Sequence, residues 1–293
     1  MKRNTVTIWI EAMRLRTLSV SLAGVFMAIG LAVHDGCFKA VPAVLCLIFA
    51  LLAQIASNFA NEYYDYRDGL DAPGREGPRR GVTEGDIAPG AMLKATYLTL
   101  ALACAVGCGL IAYGGWWLLA AGIFIALGAM AYSTGPYPLS RHGLGEVAVI
   151  LFFGIIPVTL TYYVQALQVT ADVWIASLSA GLLGANVLIV NNYRDADADK
   201  AVGKRTLAVI LGRRAMPWLY LVNGLVAIGI MIPQWMAMTD AVFAVPAITL
   251  TLVVAIRTAM PHRSGHALTP LLGMTSLTML FYCAGFAVTA FLD

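Results

Sequence analysis

The chain has 293 residues, of which 60% are hydrophobic and only 12% charged, with a net charge of +3. Soluble domains carry about 25% charged residues, so this composition, with a mean hydropathy of +0.78, excludes a water-soluble globular protein. It predicts an all-α integral membrane protein whose exterior is solvated by lipid, and no nucleic-acid partner is expected.

Residues 1–16 are interrupted by Glu11, Arg14 and Arg16 before the first apolar run. That pattern is not a cleavable signal. It is expected to form an interfacial segment in which Thr5–Met13 is a short helix with Ile8, Trp9 and Met13 toward lipid. Nine apolar stretches follow, at 17–33, 40–60, 91–113, 115–132, 145–165, 173–192, 215–234, 240–260 and 268–291. Each is long enough to cross a hydrocarbon core of about 30 Å. The tightest break, Tyr113-Gly114-Gly115-Trp116, separates the third from the fourth. With the N-terminus in the cytoplasm, 18 of the 19 Lys and Arg residues fall on cytoplasmic segments and only Lys39 outside. That asymmetry sets the orientation, and nine spans put the C-terminus outside. Residues 1–293 are expected to form one transmembrane domain.

Abruptly polar sequence follows the second stretch: Asn61-Glu62-Tyr63-Tyr64-Asp65-Tyr66-Arg67-Asp68-Gly69-Leu70-Asp71. Acids three apart gather on one side of a helix end, where they repel unless a cation sits among them. Asn61-x-Tyr63-x-Asp65 recurs after the sixth stretch as Asn191-x-Tyr193-x-Asp195. The repeat implies two four-helix halves plus a ninth helix, and the even offset puts both copies on one membrane face. Asp195 and Asp199 share a helical face, whereas Asp197 points elsewhere, toward solvent. Each copy is followed by a basic, glycine-containing loop, Gly77-Pro78-Arg79-Arg80-Gly81 and Gly203-Lys204-Arg205-Thr206.

Acids alone suggest a cation site; acids beside basic loops suggest a cation bridging to an anion. Mg²⁺ takes one or two carboxylates and completes its shell with water and phosphate oxygens, while arginine and lysine hold the remaining phosphate charge. The pattern therefore reads as a divalent-metal diphosphate site facing the cytoplasm. Two matching clusters argue against merely solvated loop charges. A diphosphate at a lipid interface implies a lipid tail. If the tail is allylic, its departure leaves a cation that the faces of Tyr63, Tyr64, Tyr132, Tyr137, Tyr162 or Tyr163 could stabilise. The cysteines (37, 46, 104, 108, 283) and histidines (34, 142, 262, 266) show no metal-ligand spacing.

These clusters resemble those of the UbiA superfamily of membrane prenyltransferases. A narrower resemblance is to the 1,4-dihydroxy-2-naphthoate polyprenyltransferases of menaquinone biosynthesis, the MenA family. It rests on residues 61–71 and 77–81, on Tyr132-Ser133-Thr134-Gly135-Pro136 with Gly143-Leu144-Gly145-Glu146, and on Asn191-Asn192-x-Arg194-Asp195 through Asp199 with Gly203-Lys204-x-Thr206-Leu207. Arg14-x-Arg16-Thr17-Leu18 is similar to the family's N-terminal Arg-Pro-x-Thr, with Leu15 in place of the proline. The resemblance covers about residues 10–290.

It implies nine helices in a ring around a cavity open to the cytoplasmic side, under polar loops. It implies Mg²⁺ held by Asp65, Asp195 and Asp199, with Asn61, Glu62, Asp71 and Asn191 near. Glu62 stands where the family has aspartate, one methylene longer, and is not counted among the ligands; Asp68 has no counterpart. Arg14, Arg141 and Arg194 would contact diphosphate or an acceptor carboxylate, and Arg79 and Arg80 the phosphate side. Tyr132, Asn192, Lys200 and Lys204 complete the implied binding set, with Glu146, Asp71 or a diphosphate oxygen as base. The implied reaction moves a polyprenyl chain from an allylic diphosphate to dihydroxynaphthoate with loss of CO₂, giving demethylmenaquinone, in the inner cell membrane. The rival readings are a relative with another acceptor, such as 4-hydroxybenzoate, and a cation-coupled transporter. A phosphatidyl-group transferase is excluded by the lack of Asp-Gly-x-x-Ala-Arg.

Overall fold

The computed structural model describes residues 4–71, 79–238 and 243–293, and every regular element among them is helical. A short α1 (Thr5–Met13) leads into α2 (Leu15–His34), followed by α3 (Ala40–Arg67), α4 (Pro89–Gly109), the single turn α5 (Ile111–Gly114) and α6 (Trp117–Ser133). Next, α7 (Gly145–Val149) runs through a π-helical stretch, Ile150–Ile155, into α8 (Ile156–Ala166). The remainder is α9 (Ala171–Ala201), α10 (Leu207–Leu211), α11 (Met216–Ile230), α12 (Ile232–Met236), α13 (Ala244–Ala259) and α14 (Thr269–Leu292).

Among the described residues, seven helical segments are long and apolar enough to cross a membrane: Thr17–His34, Ala40–Arg67, Pro89–Gly114, Gly145–Ala166, Ala171–Ala201, Ala244–His262 and Gly265–Leu292. The apolar helices α6 and α11 are shorter. The chain is thus a multi-pass integral membrane protein of all-helical fold. The nine stretches read from the sequence correspond one to one with these seven and the two shorter helices, although the start of the 240–260 stretch lies partly outside the described residues.

Burial separates the helices that line the interior from those that face lipid. The most apolar window of α9 is 72% buried, against 11% for Pro89–Gly114. A helix enclosed by others must admit their backbones, and small residues allow this. Ser177, Ser179, Ala180, Gly181 and Ala185 of α9 are all buried. A Cβ on Gly154 would lie 2.3 Å from the Gly181 Cα, so the π-helical stretch crosses α9 in backbone contact. Pro157 follows it, removing one backbone donor from the helix. The first and last long helices pack with equal intimacy: a Cβ on Gly30 of α2 would meet Ala287 Cα of α14 at 2.8 Å. Beside that contact α2, α8, α9, α12 and α14 bury Met27, Tyr162, Trp235, Tyr282 and Phe286, with the Trp235 indole N–H donating to Tyr282 Oη at 2.8 Å.

The apolar runs at 40–60 and 173–192 end, but their helices continue to Arg67 and Ala201. The motifs therefore sit on the last helical turns, the helix ends that the spacing of the acids predicts, because a helix needs only its backbone bonds and the polar side chains find partners of their own. One expectation changes. On α1, Ile8 does not face lipid. It is buried with Ala12, Phe59, Val82, Ile87 and Met92, with Trp9 and Met13 packed against the cluster, while Val6 and Ile10 are exposed. Apolar partners on α3 and residues 82–92 capture that face of α1.

α3 and α9 end identically. Leu70 N–H bonds Asp65 O at 2.8 Å and Gly69 N–H bonds Tyr66 O at 3.1 Å; Lys204 N–H bonds Asp199 O at 2.9 Å and Gly203 N–H bonds Lys200 O at 3.2 Å. Gly69 and Gly203 have φ of +68° and +76°, the glycine-favouring conformation that closes this capping motif. By capping geometry Asp65 corresponds to Asp199, whereas the sequence repeat pairs Asp65 with Asp195, one turn earlier.

Candidate active site

The two helix ends and the loops beside them enclose a polar cavity of about 220 Å³. On the α3 side, Asn61 Oδ1 accepts from Arg14 Nη2 at 3.0 Å and Arg80 Nη2 at 3.2 Å, while its Nδ2 donates to Asp65 Oδ2 and Ser133 Oγ at 3.2 and 3.3 Å. Asp65 is buried and meets Lys204 Nζ at 3.6 Å, Arg141 Nη2 at 3.8 Å and Arg80 Nη2 at 3.9 Å. Arg80 Nε also lies 3.2 Å from Asp71. Just past the helix, Asp68 pairs with Arg67 at 2.8 Å and Arg141 at 2.7 Å. The Arg67 hydrogen bond, supported by Arg141, holds the Asp68 carboxyl below the usual carboxylate range against its partial desolvation.

On the α9 side, Arg194 forks onto Asp195, Nε to Oδ1 at 2.7 Å and Nη2 to Oδ2 at 2.8 Å, and Nη2 also donates to Asn191 at 2.9 Å. Asn192 donates to the buried Glu146 Oε1 at 2.8 Å. Lys204 Nζ, 3.9 Å from Asp199, joins this side to Asp65. Two loops close the top, where Arg205 N–H bonds Arg141 O at 2.9 Å.

A second cavity of about 400 Å³ adjoins the first, lined by apolar residues of α2, α3, α4, α6 and α8. Gln54, Ser57, Tyr132, Val149 and Phe153 line both, so they form the neck between a charged chamber and an oily one. A ligand with a charged head and an apolar tail fits this shape.

The charged chamber holds buried groups of opposite sense: Asp65 Oδ1 accepts no hydrogen bond and Arg194 Nη1 donates none. The first suits a cation, the second an anion. Among the described residues no three His, Cys, Asp or Glu side chains approach closely enough to hold a metal between them. The donor set fits an ion such as Mg²⁺ that takes one or two carboxylates and completes its shell from a bound phosphate.

Residues 20–271 match the UbiA prenyltransferase family. The chain belongs to that family. It is 37% identical to the 1,4-dihydroxy-2-naphthoate octaprenyltransferase of Escherichia coli (strain K12), over 70% of this chain and 68% of that protein. It is 34% identical to the enzyme of the same name from Mycobacterium tuberculosis, over 95% of each. Among solved structures, a UbiA homolog from Aeropyrum pernix K1 superposes with a TM-score of 0.72 at 15% identity, covering 94% of this chain and 98% of that one. A UbiA homolog from Archaeoglobus fulgidus bound to GPP and Mg²⁺ superposes at 0.69, with 15% identity over 96% and 99%. The two structures attest the fold.

Within this UbiA prenyltransferase, Arg14, Asn61, Asp65, Arg80, Tyr132, Asn191, Asn192, Arg194, Asp195, Asp199 and Lys204 line the charged chamber. Asp71, Arg141 and Glu146 stand behind it, each touching or facing a lining residue. Arg79 and Lys200 are not brought in. Arg79 turns to Asp86 and Glu84 at 2.7 and 3.5 Å, and Lys200 lies exposed on α9. Gly77 and Pro78 of the basic loop lie outside the described residues. Asn61 Oδ1 is occupied by two guanidiniums, which makes Asn61 an organiser of arginines. Asp197 faces solvent, its side chain 85% exposed beside Arg213 at 3.0 Å. Of the six tyrosines proposed to face a cation, only Tyr132 lines either cavity; Tyr162, for one, bonds to Asp35 at the opposite end of its helix.

Sequence reasoning passed over several supports. Glu62, fully buried, accepts Val82 N–H at 3.1 Å and so pins the segment that carries Arg80. The signal was the extra methylene, which lets the carboxylate reach a neighbouring backbone. Asn58 Nδ2 bonds Met13 O and Thr17 Oγ1 at 2.8 and 2.9 Å, and Gln54 joins the same hydroxyl at 3.2 Å. Together they hold the bend between α1 and α2, where Arg14 takes the left-handed conformation (φ +52°) that aims it at Asn61. Their signal was two amides one turn apart inside an apolar span.

Proposed function

We propose that this UbiA prenyltransferase moves a polyprenyl chain from an allylic polyprenyl diphosphate to 1,4-dihydroxy-2-naphthoate, with loss of CO₂ and diphosphate, yielding demethylmenaquinol, the reduced form of demethylmenaquinone. The carrying observation is the pair of joined chambers, one charged and one apolar, meeting at Gln54, Ser57, Tyr132, Val149 and Phe153. The reading draws further support from relatives named for this activity that span most of the chain.

Asp65, Asp195 and Asp199 are the residues that would hold Mg²⁺, with Asp71 behind them. The ion would neutralise diphosphate charge and make it a better leaving group. Arg14, Arg80, Arg194 and Lys204 take phosphate oxygens, and Arg141 steadies Asp65. The tail then lies in the apolar chamber, and the breaking carbon–oxygen bond falls at the neck, where the rings of Tyr132 and Phe153 can face the allylic cation. The ring carbon bearing the carboxylate attacks that cation. A departing diphosphate oxygen, the base within the chamber, takes the phenolic proton as the new bond forms and returns it when CO₂ leaves, while Glu146, behind the wall, holds Asn192 at 2.8 Å.

We read the seven long spans, with α6 and α11, as nine crossings arranged in a ring within one domain. The N-terminus is cytoplasmic, the C-terminus outside, and the membrane the inner cell membrane. The lysine and arginine asymmetry supports this orientation. A cation-coupled transporter would place its ionisable groups near mid-membrane, whereas Asp65 and Asp199 lie in the last turns of their helices. Membranes containing the protein, given a labelled prenyl diphosphate and a panel of aromatic acceptors, should prenylate dihydroxynaphthoate, with product mass reporting tail length. Transfer only to 4-hydroxybenzoate or another acceptor would overturn the acceptor assignment.

A further inference from the structure

Lys204 pairs with acids from both halves of the molecule, and its position is fixed by backbone rather than by chance. Gly203 reverses the chain at φ +76°, and Lys204 N–H bonds back to Asp199 O at 2.9 Å. This lays the side chain, 12% exposed, over the last turn of α9 and toward α3. Its ammonium sits 3.6 Å from Asp65 Oδ2 and 3.9 Å from Asp199 Oδ1. The same cap on α3 puts Leu70 in the corresponding place, so only the second half directs a charge between the acids. Arg80 and Arg141 also approach Asp65, but Arg80 is anchored on Asp71 and Asn61, and Arg141 on Asp68. Lys204 is held by these two carboxylates, on a flexible stem whose point charge can be re-aimed.

An ammonium between two carboxylates competes with any divalent ion for the same oxygens. The geometry points to Lys204 as a built-in counter-cation that makes metal binding depend on diphosphate. Without an anion, the ammonium opposes Mg²⁺ at Asp65 and Asp199. When Mg²⁺ arrives with diphosphate, the ammonium transfers to a phosphate oxygen and the carboxylates turn to the metal. Metal and donor then bind with positive coupling, each raising the other's affinity by the same factor. This rests on the metal–diphosphate reading above.

The test is isothermal titration of the full-length protein in nanodiscs with Mg²⁺, alone and with saturating inorganic pyrophosphate, for the parent, Lys204→Met and Lys204→Arg. Lys204→Met should bind Mg²⁺ alone about tenfold more tightly than the parent, within the usual range of site-to-site coupling, and pyrophosphate should improve its affinity much less. Lys204→Arg should keep the parent's pattern, which shows that the charge rather than the fold was lost. If Lys204→Met binds Mg²⁺ no more tightly and keeps the parent's full enhancement, the role of Lys204 is overturned while the metal–diphosphate reading stands. If pyrophosphate leaves the parent's own Mg²⁺ affinity unchanged, that reading fails and this inference with it.

Discussion

Asp195 and Asp197 are two residues apart, yet helical geometry sends one into the chamber beside Arg194 and the other into solvent beside Arg213. Replacing Asp65 or Asp195 by alanine should lower kcat at least about a hundredfold, the scale of losing one electrostatic stabiliser, with membrane insertion retained. Asp197→Ala removes only an exposed ion pair, worth about 0–1 kcal/mol, and turnover should stay within about twofold. Equal losses at 195 and 197 in a prenyl-transfer assay would contradict the assignment of faces. Glu62 makes a different kind of contribution. Glu62→Ala strands the Val82 N–H and should cost about 1–3 kcal/mol of stability, while Glu62→Gln, which keeps an acceptor of the same length, should recover most of it in a thermal unfolding assay. Because the lost contact frees the Arg80 segment, Glu62→Ala should raise KM for the prenyl diphosphate more than it lowers kcat.

At the scale of elements, the helix ends and the crossing of α9 decide the site. A Cβ at Gly154 would meet backbone of Gly181 at 2.3 Å, which a flexible side chain cannot relieve. Gly154→Ala should therefore destabilise by about 1–3 kcal/mol and disturb Phe153, its neighbour at the neck. Gly69→Ala and Gly203→Ala should each cost about 1–2 kcal/mol through left-handed strain, measured by thermal unfolding. Gly203→Ala should also change Mg²⁺ and pyrophosphate binding, since that turn places Lys204 between Asp65 and Asp199. The spans and both acid motifs were legible in the sequence because bilayer-length apolar runs and a repeated Asn-x-Tyr-x-Asp are local patterns. The pairing of Asp65 with Asp199 was not, since it depends on where each helix is capped, and a cap is a backbone event that the repeat does not register. Arg79 and Arg80 were indistinguishable as neighbours; Glu62 and the turn it pins separate them, sending Arg80 inward and Arg79 to Asp86.

For the molecule as a whole, the division into two chambers sets what the enzyme accepts. The apolar chamber, about 400 Å³ in volume, takes its shape partly from small residues such as Ala53, Ala126 and Gly128. Ala126→Phe should fill part of it and weaken use of the longest donors by about tenfold, the cost of losing roughly 1.4 kcal/mol of tail contact, while sparing short ones. Product masses from a donor series would show this as a shorter mean tail. No single stretch of sequence announced the chamber, since its walls come from several helices spread along the chain. The close approach of Gly30 to Ala287 has a bearing on assembly as well. α2 contributes Ser21 and Val25 to the chamber wall, and its Gly30 seats against α14, far along the chain. Such long-range pairing is completed late and slowly. α14 reaches the apolar chamber through α2, so the wall that α2 supplies takes its final seat when that distant helix docks.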